Sequence, residues 1–183
     1  MAILKPSKQV ERMRRQWTYQ GSTRPAFAKA PEVGQESVWD YPRPPRIQPD
    51  PRLVEVKSGE IVLAKTNRSL RILETASPPT YYLPPEDVAL TSLVETGGRS
   101  HCEWKGIALD LGMKDGPPSV GWVYPDTYAE FAEIAGWIAF YPAQVECSVD
   151  GERVRPQPGG FYGGWITNEI VGPVKGEPGC DGL

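Results

Sequence analysis

Apolar and polar residues alternate along much of the chain, and this pattern predicts mostly strands. "LVEVKSGEIVLAKT" (residues 53–66) alternates on both sides of Ser58-Gly59 and predicts a β-hairpin, because glycine adopts the positive φ that tight turns need. Further strands are predicted for "SLRILET", "HCEWKGIALDLGM", "VGWVYP" and "WIAFYPAQVECSVDGERV", the last with a turn at Asp150-Gly151. "VALTSLVET" fits either a strand or a short helical piece.

Two segments have the spacing of helices. Apolar residues from Val10 to Trp17 recur at helical intervals and predict a short helix within residues 5–17. "TYAEFAEIAGW" predicts a second helix, which starts with a capping box of Thr127 and Glu130 that satisfies free amides of the first turn. We therefore expect one helix before the body of the protein and one short helix within it.

Proline and glycine divide the chain into a body and two arms. There are 20 prolines and 19 glycines among 183 residues, and such a content disfavours long helices. "YPRPPRIQPDP" is predicted to run extended with few internal hydrogen bonds, and the prolines of "SPPTYYLPPEDV" predict a turn-rich connection rather than a central strand. We predict a mainly β body at residues 52–155. A basic helix and proline-rich arm precede it at residues 1–51, and a glycine- and proline-rich tail at residues 156–183 docks on it.

Charge is unevenly distributed along the chain. Residues 1–30 contain seven basic side chains and one acidic one, whereas the whole chain has a net charge of -3, so the body is acidic. An acidic body disfavours nucleic acid as a partner, and we expect the basic arm to contact its own body. RNA, lipid headgroups or an acidic partner stay open as alternatives for the arm.

The sequence contains no apolar run of the roughly 20 residues that a membrane-spanning helix needs. The first residues also lack the continuous apolar stretch of a secretory signal. The three cysteines are odd in number and far apart, which disfavours a disulfide framework. We therefore expect a cytoplasmic protein with no membrane association.

Metal binding is not expected. The chain has one histidine and scattered cysteines, whereas structural zinc uses four cysteine or histidine ligands in short-spaced pairs. His101 and Cys102 are adjacent, and neighbouring residues of a strand point to opposite faces. We predict no metal and no cofactor; a carboxylate site for magnesium stays open, although no spacing of acidic residues demands one.

Lys105 is the leading candidate for site chemistry, because "WKG" places its ammonium beside a tryptophan and a glycine. A buried ammonium needs a carboxylate or an anionic ligand, and Glu74 and Asp87 are the candidate acids. The catalytic residues, if any, are not determined; the candidates are Lys105, Glu74, Cys102 as a nucleophile and His101 as a general base. A packing role for the cysteine is favoured, and whether any reaction is catalysed stays open.

Aromatic residues are concentrated in the body. Most of them are expected to fill the core, but some are predicted to line a concave site, as aromatic side chains commonly do in small-molecule pockets. The predicted ligand-binding residues are Tyr82, Asp87, Trp104, Lys105, Trp122 and Tyr124.

The motifs "GEIVLAKTNRSLRILET", "YYLPPEDV", "HCEWKGIALDL", "GWVYPD" and "IAGWIAFYPAQVECSVDG" occur in an order that resembles the domain-of-unknown-function family 427. The resemblance extends over about residues 36 to 180. It implies a β-tent-like fold, in which two small antiparallel sheets meet at an angle, and it implies no established activity. Family members usually have proline and tyrosine at the positions of Glu103 and Trp104. Aromatic packing would replace the zinc that pins related tent folds.

Two functions follow from these observations. The first is a small-molecule-binding domain with an aromatic-lined pocket that carries a Lys/Glu pair. The alternative is a non-enzymatic interaction or assembly protein, whose arms wrap a partner or a second subunit with Trp17, Trp39 and Trp165 as anchors. The identity of the ligand, the oligomeric state and the partner of the basic arm are not determined by the sequence.

Overall fold

The backbone is built mainly from strands in the computed structural model, which describes residues 2–180. Helix α1 spans Lys8–Arg14. In chain order the strands are β1 (Ile3–Leu4), β2 (Glu36–Ser37), β3 (Arg46–Asp50), β4 (Val54–Ser58), β5 (Ile61–Thr66), β6 (Ser69–Glu74), β7 (Ser77–Leu83), β8 (Leu93–Cys102), β9 (Gly106–Met113), β10 (Gly121–Val123), β11 (Thr127–Tyr128), β12 (Ile138–Phe140), β13 (Glu146–Val149), β14 (Glu152–Arg153), β15 (Arg155–Pro156), β16 (Trp165–Ile166) and β17 (Ile170–Val171). Short 3₁₀ helices span Val38–Asp40, Pro85–Asp87, Leu90–Ser92 and Ala129–Ile134.

The strands form one large curled sheet and several smaller ones. Within the described part of the chain, nine strands make the large sheet in the order β1-β11-β9-β10-β12-β7-β6-β3, with β8 pairing with β9. The order β14-β13-β4-β5 forms a second sheet, and β15-β16 and β17-β2 form two-stranded pairs. The prediction of a mainly β fold is confirmed. No helix within residues 2–180 is long and apolar enough to cross a membrane.

The large sheet packs a separate apolar cluster against each face. Tyr81 belongs to the cluster shared with the β4–β5 hairpin, whereas its neighbour Tyr82 belongs to the cluster that contains Trp122 and Phe131. Adjacent residues reach opposite clusters because successive side chains of a strand alternate between faces. The second of these clusters forms part of the candidate site.

The two turns and the N-terminal helix that were predicted from short sequence motifs are confirmed. Antiparallel strands β4 and β5 form the predicted hairpin, and Gly59 at its turn has a φ of 57°. Asp150 and Gly151 likewise adopt positive φ between β13 and β14. Helix α1 also forms as predicted, and the side chain of Ser7 caps it by accepting a hydrogen bond from the amide of Val10. These elements depend on residues close together in sequence.

The short helix predicted in the body forms as a 3₁₀ helix, but the capping box predicted at its start is wrong. Ala129–Ile134 is a 3₁₀ segment in which Phe131 departs from helical geometry, with φ −119° and ψ 18°. Thr127 lies in β11, where it pairs with Gly106 of β9, and its buried hydroxyl has no hydrogen-bond partner within residues 2–180. Because sheet pairing holds Thr127 in the large sheet, it does not cap a helix, and the capping box does not form.

The prediction that prolines exclude a central strand from "SPPTYYLPPEDV" is also wrong. Strand β7 contains Pro78 and Pro79 and lies between β6 and β12 in the large sheet. The two prolines lie where the register with β6 shifts, and β12 pairs only with Tyr82 and Leu83. The prolines therefore lie in the part of the strand where paired amides are not required.

The proline-rich segment before the body runs extended, as predicted, and contributes a regular strand that pairs with another part of the chain. Strand β3 pairs with β6 along its whole length, from Arg46 opposite Leu73 to Asp50 opposite Ser69. Because β3 is an edge strand, one side of it is free of pairing, and Pro49 is tolerated there.

The end of β3 carries a buried charge network that makes stability depend on pH. Asp50 accepts hydrogen bonds from Arg52, and its Oδ2 lies 3.5 Å from Nε of Arg71. Burial alone would raise the pKa of Asp50, but the hydrogen bonds and charges of Arg52 and Arg71 outweigh burial and lower the pKa. The folded pKa therefore lies below the unfolded value of about 3.9.

We expect the free energy of unfolding to fall as the pH is lowered below about 4, because Asp50 takes up a proton in the unfolded chain before it does so in the folded protein. The stabilisation is complete above the unfolded pKa and is lost as the pH falls through the folded pKa. Chemical denaturation at a series of pH values measures the free energy of unfolding. In Asp50→Asn, this free energy should fall less between about pH 4 and lower pH than in the wild type. Asp115→Asn, at an exposed position, is the matched control. Equal pH profiles for Asp50→Asn and the wild type would contradict the assignment.

Candidate functional site

A cavity of about 260 Å³ opens between the large sheet, the β8–β9 turn and both arms. Its wall combines aromatic rings with charged groups of both signs. The predicted site residues that line it are Glu74, Tyr82, His101, Cys102, Lys105, Trp122 and Tyr124. The structure thus brings together most of the residues that the sequence singled out.

Lys105 is positioned by the tight reversal between β8 and β9. Cys102 at the end of β8 pairs with Gly106 at the start of β9, and Lys105 lies in the turn between them. Gly106 has a φ of 120°, and an added Cβ would lie 3.0 Å from the carbonyl oxygen of Asp126. Glycine is therefore required at this position for the backbone to reverse.

The Lys105 ammonium is buried beside aromatic rings. The residue is 9% exposed, and its Nζ lies 5.8 Å from the ring centroid of Phe131. Burial alone would lower the pKa of Lys105, but Cys102, Tyr82 and Glu74 favour the charged form, and the net pKa is raised. This direction favours the ammonium form of Lys105.

Tyrosine and tryptophan rings form the apolar part of the wall. The indole Nε1 of Trp122 donates a hydrogen bond of 3.2 Å to the hydroxyl of Tyr82, and the two rings meet edge to face. Trp122 also contacts Tyr141, with ring centroids 4.5 Å apart. Burial raises the pKa of Tyr82 to about 12, so its hydroxyl keeps its proton. These rings offer flat surfaces and protonated hydroxyl groups to a ligand.

The two weaker catalytic candidates also lie at the cavity. Half-buried Cys102 lies close enough to Lys105 and Tyr124 to contribute to the raised pKa of each. His101 Nε2 lies 3.4 Å from the hydroxyl of Tyr128. The turn therefore brings Cys102 and Lys105 together, although alternation along a regular strand would separate them. No metal-binding group of three or more histidine, cysteine or acidic residues occurs within residues 2–180.

For three predicted site residues, the structure gives a different partner or a different position from the one predicted. Glu74 lines the cavity but forms its ion pair with Arg43, at 3.2 Å, rather than with Lys105. Asp87 is not among the residues that line the cavity, and it accepts hydrogen bonds from Thr66 and Arg68. Trp104 lines a second cavity, on the side of helix α1. Of the two acids proposed for Lys105, only Glu74 is near enough to influence it.

Sequence reasoning missed the residues that the arms contribute. Trp17 donates from its indole Nε1 to Glu103 Oε1 at 3.0 Å, and the Lys175 ammonium lies 4.5 Å from the Trp17 ring. Gly163 passes so close to Trp122 that an added Cβ would overlap the ring. The sequence signal for this part of the wall was "FYGGW", in which glycines stand between aromatic residues. A backbone that passes close to an aromatic ring needs glycine, because any larger side chain would overlap the ring.

The anchors predicted for a partner also contact this chain itself. Trp39 and Trp165 are fully buried in its own apolar clusters, and Trp17 lines the cavity. Basic residues of the N-terminal arm likewise pair within the chain, Arg14 with Glu130 and Arg24 with Asp40. Trp39 and Trp165 therefore join parts of this chain to one another.

The comparison with protein families gives one match. A family model described as a domain of unknown function (DUF427) matches residues 46–151, which is more than half of the chain. The comparison with curated proteins finds no match. Lys105 and most of the aromatic wall lie inside the matched segment, whereas Trp17 and Lys175 lie outside it.

Proposed function

The chain belongs to the DUF427 family, whose function is unknown, and we propose that its aromatic-lined cavity binds a small planar molecule with an anionic group. The observation that carries this proposal is the buried ammonium of Lys105 at the wall of the cavity. A buried charge is costly unless it is paired or hydrogen-bonded to an opposite charge. Lys105 forms no ion pair with a carboxylate of residues 2–180, and a ligand anion would provide one.

The other charged groups of the cavity support an anionic ligand over a cationic one. Glu74 already pairs with Arg43, and Glu103 already accepts a hydrogen bond from Trp17. Lys175 adds a second positive charge, which lies over the rings of Trp17 and Tyr162. The charge of Glu74 is therefore balanced by Arg43 and the Glu103 carboxylate is held by Trp17, whereas Lys105 forms no ion pair with a carboxylate of residues 2–180.

The shape of the cavity supports a planar ligand of modest size. Its volume of about 260 Å³ is near the small end of ligand pockets, which span roughly 300–1,000 Å³. Aromatic walls bind flat rings through stacked and edge-to-face contacts, as Trp122 and Tyr141 already contact one another. Hydroxyl groups such as that of Tyr82 can orient the ligand by hydrogen bonding.

The protonation of Lys105 supports binding rather than nucleophilic chemistry by this lysine. An amine that attacks a carbonyl must lose its proton, and enzymes prepare such a lysine by lowering its pKa. Here the pKa of Lys105 is raised, because Cys102, Tyr82 and Glu74 outweigh burial. The proposal therefore assigns Lys105 an electrostatic role in holding the ligand.

The test is a comparison of matched charged and neutral probes. Benzoate and indole-3-carboxylate are titrated into the full-length protein beside benzamide and indole-3-carboxamide, with two-dimensional ¹H–¹⁵N NMR as the readout. We expect the carboxylates to bind more tightly than their amides. They should shift the indole N–H signals of Trp17 and Trp122, which line the cavity, and not that of fully buried Trp165.

Signals are assigned with Trp17→Phe and Trp122→Phe, each of which removes one indole N–H. Equal binding of each carboxylate and its amide would contradict the proposed role of Lys105. Shifts confined to indoles remote from the cavity would contradict the proposed location.

Several broader expectations remain proposals. We propose that the body at residues 52–155 has the tent-like arrangement, with sheets pinned by aromatic contacts. The stacking of Tyr81 on Trp165, with ring centroids 4.7 Å apart, supports it. The separate arm at 1–51 and tail at 156–183 are likewise proposals, as is a cytoplasmic location. The alternative role in assembly stays a prediction that no finding tests.

A further inference from the structure

A second cavity lies beside helix α1, and its wall carries several positive charges. It has a volume of about 380 Å³ and is lined by Arg14, Arg15, Gln20, Arg43, Pro44 and Trp104. None of these residues is acidic. The wall therefore combines three guanidinium groups with one indole ring, and it is separate from the wall that contains Lys105.

Three buried N–H donors of this wall have no acceptor. They are Nη2 of Arg14, Nε of Arg43 and Nε1 of Trp104, and none has a hydrogen-bond partner within residues 2–180. Arg43 is 5% exposed and Trp104 is 4% exposed. Buried donors are normally satisfied, because leaving one unpaired costs free energy. Three such donors on the wall of one cavity indicate an acceptor that is not part of the protein.

The remaining nitrogens of the two arginines hold their guanidinium groups in place. Arg14 donates from Nε to the carbonyl oxygen of Glu103 at 2.7 Å and from Nη1 to Glu130 at 3.0 Å. The guanidinium of Arg14 also lies over the ring of Trp104, 5.1 Å from its centroid. These contacts fix Arg14, so its unpaired Nη2 is ordered before any ligand binds.

Arg43, another residue of this wall, is also held by hydrogen bonds and by contact with a ring. It donates from Nη1 to the carbonyl oxygen of Tyr19 and from Nη2 to Glu74 and the carbonyl oxygen of Thr75. Its guanidinium lies 3.8 Å from the ring centroid of Trp17. Burial lowers the pKa of Arg43 even though Glu74 opposes the shift. The negative charge near Arg43 therefore does not fully compensate its burial.

We propose that this second cavity binds an oxyanion, a phosphate or carboxylate group, through Arg14, Arg43 and Trp104. An oxyanion has several acceptor atoms, so it can receive all three unpaired N–H groups at once. Guanidinium groups suit this role because they present donors in a fixed plane. The more exposed Arg15 adds positive charge at the same wall.

The indole N–H of Trp104 provides a direct readout, because it gains an acceptor when the anion binds. The protein has six tryptophans, and the signal of Trp104 in a ¹H–¹⁵N spectrum is the one absent from Trp104→Phe. Sodium phosphate and sodium acetate are titrated separately into the full-length protein at constant ionic strength, with sodium chloride as the balance. We expect phosphate, acetate or both to shift the Trp104 signal, while that of Trp122 in the first cavity stays in place. The pair of salts shows which oxyanion is preferred.

Two variants of helix α1 provide a matched comparison of charge. Arg14→Gln removes a lining guanidinium, whereas Arg12→Gln removes the same charge from an exposed position that does not line the cavity. We expect Arg14→Gln to weaken the effective anion by about tenfold or more, as the loss of a charge-assisted hydrogen bond predicts. Arg12→Gln should change the affinity by less than about twofold, since an exposed charge is screened.

Several results would overturn the proposal. One is a Trp104 signal that neither phosphate nor acetate moves. Another is an equal response to chloride alone, which would indicate general screening of charge. Equal weakening by Arg12→Gln and Arg14→Gln would have the same meaning. If Arg14→Gln does not fold, the test is the affinity of Trp104→Phe for the effective anion, measured by calorimetry. It keeps the net charge and removes only one donor, and unchanged affinity in this variant would overturn the role of Trp104.

Discussion

Trp165→Ala is expected to lower the free energy of unfolding by about 3–5 kcal/mol, the usual cost of removing a large buried aromatic side chain. Trp165 belongs to the tail but is fully buried in the cluster between the large sheet and the β4–β5 hairpin. Its ring stacks on Tyr81, and its indole Nε1 donates to the carbonyl oxygen of Phe140 at 3.1 Å. Alanine would leave a cavity in the core and a buried carbonyl oxygen without its donor.

Chemical denaturation of the full-length protein, followed by circular dichroism, measures this loss. The matched control is Phe161→Ala, in the same tail, because Phe161 is 69% exposed. We expect this control to change stability by no more than about 0.5 kcal/mol, as is usual for exposed positions. Similar losses for the two variants would show that the tail does not complete the core.

Lys105→Met is expected to weaken binding of the aromatic carboxylates by about tenfold or more, the cost of losing a buried charge-assisted hydrogen bond. Methionine keeps much of the length of the side chain but removes its charge, so contacts with Phe131 and Tyr82 can persist. The amide probes should bind as before, because they never used the charge. The preference for a carboxylate over its amide, read from the indole signal of Trp122 in the first cavity, is therefore the quantity that should vanish.

The controls for this prediction separate local from general effects. Lys114→Met removes an equal charge from an exposed position outside the cavity and should leave the preference intact. Lys105→Arg retains the charge and should retain part of the preference. Binding of phosphate at the second cavity should be unchanged in Lys105→Met, which also verifies that the variant is folded. A carboxylate preference that persists in Lys105→Met would rule out this lysine as the anion-binding group.

Local patterns predicted the parts of the fold that depend on neighbours in sequence. The β4–β5 hairpin and the Asp150-Gly151 turn form as expected, because glycine and aspartate adopt positive φ where few other residues do. Prediction failed where sheet pairing opposed local preference. Thr127 is a good helix cap by residue type, yet pairing with Gly106 places it in a strand.

For the candidate site too, prediction succeeded where neighbours in sequence decide the structure and failed where distant contacts decide it. Tyr82, Trp122 and Tyr124 belong to one apolar cluster beside Lys105, and alternation along the chain had placed Trp122 and Tyr124 on the same face. Asp87 was a reasonable acid by charge, but Arg68 and Thr66 are its partners. Its side chain is held by these neighbours, and sequence alone does not determine which of several cations an acid will pair with.

The sequence by itself determined that the protein is mainly β, that its turns lie at particular glycines, and that Lys105 stands among aromatic residues. Only the tertiary structure determined that both arms complete the cavity and that Trp104 belongs to a different one. Trp17 reaches Glu103 across 86 positions of the chain, and Trp165 reaches Phe140 across 25. Turns and alternation depend on interactions between near neighbours, whereas these contacts depend on the order of strands in the sheet and on how the arms fold over it.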